Sequence, residues 1–182
     1  MKRRVFFSYH YKLDHVRVSQ VREAGSVASN SPASDEAWDA ITQGGDPEIQ
    51  RWIDSQFSGR CCAVVLIGPA TAGRKWIDYE IRKAWQDGMG LMGIYVHNLK
   101  DRIGNQTAKG VNPFTQFSID RGVTRLSTLV KAYDPPYTSS AEVCEYIKAN
   151  IEGWVEKAIA IRNFAWTLVR EKNEGLGRYG SP

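Results

Sequence analysis

No run of apolar residues in this chain approaches the ~20 that a membrane span requires, so no membrane partner is expected. Cysteine is scarce, with only Cys61, Cys62 and Cys144 among 182 residues. Adjacent Cys61 and Cys62 at the start of a strand point to opposite faces, which makes them a poor ligand pair, and no metal is expected. An odd count without an export signal points to a reducing cytoplasm, with the thiols acting as small apolar groups. The N-terminal MKRRVFFSYHY turns from basic to apolar, but its apolar part is too short for a signal peptide and reads as a first strand. An excess of one charge is also missing. Twenty-four basic and 20 acidic residues leave a net +4, and Lys2-Arg3-Arg4 is the only basic run. That pattern carries no nucleic-acid footprint, although it would suit an anionic dinucleotide.

The common chemical signatures are absent too. There is no GxxxxGK[ST], no HExxH and no GxSxG, and the two GxGxxG matches, Gly88 to Gly93 and Gly175 to Gly180, do not stand between a strand and the helix it feeds, which leaves P-loop, zincin, serine-hydrolase and dehydrogenase readings without support. FFSYHY supplies no acid cluster of the response-regulator kind. Nor does it lead into the hydroxyl-rich phosphate loop of a flavodoxin.

What is present is an alternation of strands and helices. Val5 to Tyr9 reads as a strand, and Asp14 as the cap of a helix that runs to about Ala24. Gly25 to Gly45 is a long connection with Trp38 embedded in it. Asp46-Pro47 opens a helix whose apolar face is Ile49, Trp52, Ile53 and Phe57. The continuous apolar run Ala63 to Ile67 marks a strand buried on both faces. Gly68-Pro69 forces a turn, a helix follows from Lys75 to Asp87, and Leu91 to Val96 is the next strand. After a loop from His97 to Ser118, Thr128 to Tyr133 reads as the last strand. Ser139 and Glu142 then open a long helix, from about 140 to 170, and a frayed tail is expected over 171–182. The pattern predicts one α/β domain of flavodoxin-like topology, a three-layer sandwich whose central, mostly parallel five-stranded sheet has the order 2-1-3-4-5. Its switch point would lie between Ser8-Tyr9-His10 and Gly68-Pro69.

Glu80 follows Trp76 by four residues and shares its side of the helix. A helix N-terminus would keep such an acid ionised, and an ionised carboxylate can bind sugar hydroxyls and steady a developing cation. It could equally be a surface glutamate paired with Arg82 or Lys83. Tyr9 and His10 at a strand end could stack on a base or ring, or simply satisfy loop backbone. His97 ends another strand and could join His10 or be structural, while His15 reads as an exposed helix residue. Trp38, Asp35 and Asp39 could close over a ligand or form a short anchored helix. Asn112-Pro113-Phe114 has a restricted backbone that could place Asn112 against a ligand or form only a turn.

VFFSYHYKLD at Val5 to Asp14 and WIDYEI at Trp76 to Ile81, with VVLIGPAT, GLMGIYVHN and GVNPF between and after them, resemble the TIR superfamily. The chain is most similar to the TIR-like branch of bacterial Thoeris anti-phage systems, over a core of roughly residues 3 to 135. The resemblance implies an NAD+ glycohydrolase or ADP-ribosyl cyclase. Glu80 would be its catalytic residue, with Phe6, Ser8, Tyr9, His10, Trp38, Trp76, His97 and Asn112 shaping the substrate pocket. NAD+ is then the substrate, with no bound cofactor. A cyclic ADP-ribose isomer would carry the signal to a separate effector protein, with self-association or a phage protein as the trigger. The other class of reading is a non-catalytic TIR-like scaffold, which would have no need of an acid at position 80.

Overall fold

The computed structural model describes residues 2–23, 26–30, 41–119 and 124–176, with side chains through residue 165. Strand β1 (Arg4–Ser8) leads into helix α1 (Tyr11–Glu23) and the two-residue strand β2 (Ala28–Ser29). Helix α2 (Asp46–Phe57), strand β3 (Cys62–Ile67), helix α3 (Lys75–Gln86) and strand β4 (Gly90–Tyr95) follow. A small antiparallel ribbon, β5 (Ser118–Ile119) and β6 (Thr124–Arg125), precedes the short β7 (Ala132–Tyr133) and the long helix α4 (Ser140–Leu176).

The central sheet is parallel throughout, in the order β2-β1-β3-β4-β7, which is the 2-1-3-4-5 order expected from the alternation. Its register runs Phe6 against Ala63 and Ser8 against Val65, then Ile67 against Tyr95. Because side chains alternate across a strand, the sheet divides the interior into two cores. Val5, Phe7, Val64, Leu66, Met92 and Ile94 face α1 and α4, and meet Val18, Val21, Val143, Ile147 and Trp154. Phe6, Ala63, Val65, Ile67 and Leu91 face α2 and α3, and meet Ile49, Ile53, Phe57, Ile77 and Ile81. The fold is thus a three-layer α/β sandwich.

Several boundaries differ from the sequence expectation for physical reasons. Asp14 lies inside α1, fully buried and paired with Arg17 at 3.1 Å, so it does not cap the helix. His10 takes that place: its carbonyl accepts from Leu13 and Asp14, and its Nδ1 accepts from the Leu13 N–H. Helix α2 starts at Asp46 itself, with Gly45 at φ 74° before it. The last strand is only Ala132–Tyr133, since Leu126 to Thr128 winds into a 3-10 turn. Helix α4 runs on to Leu176, past the expected end near Arg170.

The loop after β4 is sewn onto the sheet by close approaches that only glycine allows. A Cβ on Gly110 would stand 1.9 Å from the Gly68 carbonyl oxygen, and one on Gly93 would meet the Phe114 ring at 3.0 Å. A Cβ on Gly68 would strike the Asp14 carboxylate at 2.2 Å. The turn after β3 therefore lies directly on α1. Thr71 braces that turn from within, its Oγ1 accepting from the Gly68 N–H at 2.9 Å.

Candidate active site

Two helices begin at the C-terminal edge of the sheet on either side of one cleft. The connection from β1 into α1 contributes Tyr9, His10, Tyr11 and Lys12, while the head of α3 contributes Arg74, Lys75, Trp76, Ile77 and Glu80. The cleft has a volume of about 320 Å³, near the lower end of ligand sites. It lies between β1 and β3, where the strand order reverses.

Glu80 forms the floor. Its helix packs Ile77, Ile81 and Ala84 into the core, and Glu80 follows the same buried face, leaving the residue 8% exposed. The alternative of a surface ion pair is excluded, since Lys83 pairs with Asp87 at 2.9 Å and Arg82 lies over the Phe117 ring. The partner of Glu80 is Ser8, whose hydroxyl donates to Oε2 at 2.5 Å. Ser8 is the last residue of β1 and points to the α3 side of the sheet, which is how it reaches the acid.

The acid is not held ionised, contrary to the expectation from the helix N-terminus. Burial pushes the Glu80 carboxyl up to about 8, and the Ser8 hydroxyl pulls only part of the way back. A helix dipole acts mainly within the first turn, and Glu80 is the sixth residue of α3, so desolvation prevails.

The wall is aromatic and the rim is cationic. Tyr9 and Tyr11 approach with ring centroids 6.3 Å apart, and Trp76 closes the other side edge-on to Tyr79. His10 is 7% exposed. Its Nδ1 is occupied by the Leu13 N–H, which leaves Nε2–H as the donor of the neutral ring. Burial first, and then the Arg74 charge, hold the His10 imidazole below its usual range and keep it neutral at pH 7. Lys12 and Arg74 are exposed at the cleft mouth. Lys75 is tied to Asp46 and sits over the Trp76 indole at 4.9 Å.

The structure thus brings Tyr9, His10, Trp76 and Glu80 together around the cleft, with Ser8 behind it. The other candidates lie elsewhere. Phe6 is 1% exposed and packs on Phe57 with the rings tilted and their centroids 4.3 Å apart. It sits two residues below Ser8 on the same face, about 7 Å deeper in the core. Ser8 itself is 1% exposed and does not line the cleft. His97 is half-buried beside Tyr95, edge-on at 6.0 Å, away from the cleft residues. Asn112 turns its Oδ1 back to accept from the Phe114 N–H at 2.9 Å, which sets the short 3-10 turn that buries Phe114. Trp38, Asp35 and Asp39 lie outside the described residues. His15 is half-buried against Tyr11 and not exposed.

Sequence reasoning missed the cationic rim. Lys12, Arg74 and Lys75 are unremarkable in a chain of scattered charges, yet Arg74 and Lys75 stand at the head of the helix that carries Trp76, and Lys12 follows His10 by two residues. Basic residues at both predicted helix starts around the switch point were the available signal.

The sequence profile of the family described as Thoeris protein ThsB, TIR-like domain, matches residues 6–101. A Bacillus cereus (strain MSX-D12) protein, named provisionally as the cyclic ADP-D-ribose synthase ThsB1, is 34% identical over 119 residues. That alignment covers 63% of this chain, and the chain spans 62% of the relative's length.

Proposed function

The chain belongs to the Thoeris ThsB family of TIR-like domains, and on that premise we propose that it is an NAD+-consuming enzyme that breaks the nicotinamide–ribose bond at Glu80. The observation that carries the reading is a carboxyl buried at the floor of an aromatic cleft, with one oxygen bound by Ser8. Burying an acid and raising it to about 8 costs stability, which a purely structural module has no reason to retain.

Nicotinamide in NAD+ is already cationic, so it leaves as a neutral molecule with the electron pair of the broken C–N bond. Positive charge then develops on the ribose, as in glycoside cleavage. A carboxylate against that sugar stabilises the cation, and no second acid is needed to protonate the leaving group. The arriving cationic ring favours ionisation of Glu80, which places the charge where the transition state needs it. Tyr9 and Trp76 offer faces for the ring, while Lys12 and Arg74 offer charge to the diphosphate.

Attack by water on the ribosyl cation gives ADP-ribose and a proton. Attack by a ring nitrogen or ribose hydroxyl of the same molecule gives a cyclic isomer and a proton. A narrow cleft that folds the dinucleotide and sheds water favours the cyclic product. That nucleotide is the signal to a separate effector protein in anti-phage defence.

The test is incubation with NAD+, alone and in lysate of phage-infected cells, followed by mass spectrometry of small molecules. Nicotinamide and a cyclic ADP-ribose isomer are expected from the wild type and neither from Glu80→Gln. Release that persists in Glu80→Gln removes the role of Glu80, and no turnover under any condition, infected cells included, replaces the enzyme with a scaffold.

A further inference from the structure

Ser8 lies outside the cleft and cannot touch a ligand, yet it makes the shortest contact to the acid that can. Its Oγ stands 2.5 Å from Glu80 Oε2, both residues are buried, and no other hydrogen bond reaches the Glu80 carboxyl among the described residues. The geometry also separates the two carboxyl oxygens. Oε2 is turned inward onto β1, so Oε1 is the atom left for the cleft.

We propose that Ser8 is a positioning residue, whose hydroxyl fixes the rotamer of Glu80 from behind and favours its carboxylate form, reserving one oxygen for the ligand. The proposal rests on the reading of Glu80 as the working acid and adds what sets its charge and aim.

The physical basis is selective donation. A hydroxyl donor stabilises an ionised carboxylate more than a neutral carboxylic acid, because the charge-assisted bond is the stronger one. Ser8 opposes desolvation in this way, and burial outweighs it. The other charged and titratable groups around the cleft stand on its rim or behind its walls. They are His10 and Lys12 from the start of α1, Arg74 and Lys75 from the head of α3, and Tyr9 with Arg22 behind it. On the α2 side, Asp54 is engaged by the Tyr79 hydroxyl at 2.7 Å. The direct bond to the acid is therefore left to Ser8.

Position follows the same bond. Glu80 has three side-chain torsions, and at the bottom of a 320 Å³ cleft a free carboxyl could turn either oxygen to the ligand. Tying Oε2 to the end of β1 links the acid to the most rigid element nearby, the sheet itself.

The test separates this role from catalysis. Protein labelled with carboxyl-13C glutamate is titrated by NMR, and the Glu80 signal is assigned by its absence in Glu80→Gln. In Ser8→Ala the Glu80 midpoint is expected to rise by about one to two pH units, the worth of one hydrogen bond to a charged group. Ser8→Thr, which keeps the hydroxyl, should restore it. Nicotinamide release then serves as the second readout. In Ser8→Ala, kcat/KM is expected to fall about tenfold or more at pH 7 and to recover as the pH passes the raised midpoint. A midpoint that does not move in Ser8→Ala overturns the proposal, as does a loss of activity equal at every pH. The NMR arm stands even if the protein does not cleave NAD+, so failure of the function and failure of the positioning role are read independently.

Discussion

The guanidinium of Arg162 grips the main-chain carbonyl of Trp85, with Nη2 at 2.7 Å and Nε at 3.2 Å, and lies 4.4 Å from the centre of the Trp85 ring. Trp85 sits in the last turn of α3, so a residue of the C-terminal helix anchors the far end of the helix that carries Glu80. Arg162 lies outside residues 6–101, the span matched by the family. The anchor thus comes from a helix beyond the matched span. A cation at a helix C-terminus is favourable, and here it adds a charged donor to a carbonyl that the Gly88 N–H also reaches at 3.3 Å.

Arg162→Ala is expected to lower unfolding free energy by roughly 2 kcal/mol, from the loss of a charged donor to a carbonyl. Arg162→Lys should recover only part of this, because an ammonium cannot make the two-pronged bond and the flat stack together. Urea unfolding of the three proteins measures the difference. Equal stability of wild type and Arg162→Ala would remove α4 as the anchor of α3.

Glu80→Gln is expected to be more stable than wild type at pH 8 and nearly equal to it at pH 5. A carboxyl whose folded value, about 8, lies above its ordinary value of 4.5 adds stability at low pH. It surrenders that stability as pH rises through the folded value. Glutamine keeps the shape and can still accept from Ser8, but it has no charge to bury. The gap at pH 8 should be at most about 5 kcal/mol, since about 3.5 units separate the two values and each is worth about 1.4 kcal/mol. Thermal unfolding across pH 5 to 8.5 reads it. A wild type that gains on the variant as pH rises would show that Glu80 is ionised in the resting fold.

The sequence signals and the structure part company at particular residues. β3 and β4 were legible because their apolar runs are continuous, and α3 because Trp76, Ile77, Glu80 and Ile81 repeat at helical spacing. β2 was not, since a two-residue strand carries no period, and β7 was read at its right place but four residues too long. Phe6 was placed in the pocket on the family resemblance, and a strand's alternation, which shows two faces without showing which residue lies at the sheet edge, could not correct it. Asp14 looked like a cap, as a carboxylate before an apolar run does. The groups that overrode this reading, the Gly68 backbone and the Arg17 side chain in its nest of the Leu99 and Asn105 carbonyls, are gathered by tertiary structure. The position of Glu80 could be read from the chain. Its protonation could not, because burial is a property of the whole cleft.

Gly68→Ala is expected to destabilise the fold by about 1–3 kcal/mol, the usual range for forcing atoms into a filled site. The new methyl would fall 2.2 to 2.6 Å from the atoms of the Asp14 carboxyl group, which cannot retreat while Arg17 holds it. Asp14→Ala alone also destabilises, because Arg17 loses its buried partner. The double variant should therefore be less unstable than the sum of the two. Additive effects in a double-mutant cycle would deny the contact.

Charge reversal at the rim, Arg74→Glu, is expected to raise KM for NAD+ about tenfold while leaving kcat near wild type. Arg74 is exposed at the cleft mouth, so its loss should alter unfolding free energy by less than about 0.5 kcal/mol. The effect on KM should shrink as salt rises, since exposed charges are screened. A change confined to kcat would place the diphosphate elsewhere.

Binding of a cleavage-resistant carbocyclic NAD+ analogue is expected to expel protons at pH 7, and binding of NADH is not. The resting carboxyl, near 8, is mostly protonated at that pH. The oxidised ring brings a positive charge to Glu80 and favours the carboxylate, whereas the reduced ring is neutral and has no such effect. Affinity for the oxidised form must then rise with pH up to about 8 and level off, by the same linkage that governs stability. Calorimetry in two buffers of different ionisation enthalpy counts the protons. Release approaching one proton is expected for the analogue in wild type, and none for either ligand in Glu80→Gln. Equal counts for the oxidised and reduced ligands would mean that the ring does not sit at Glu80, and the cleft would have to hold the dinucleotide the other way round.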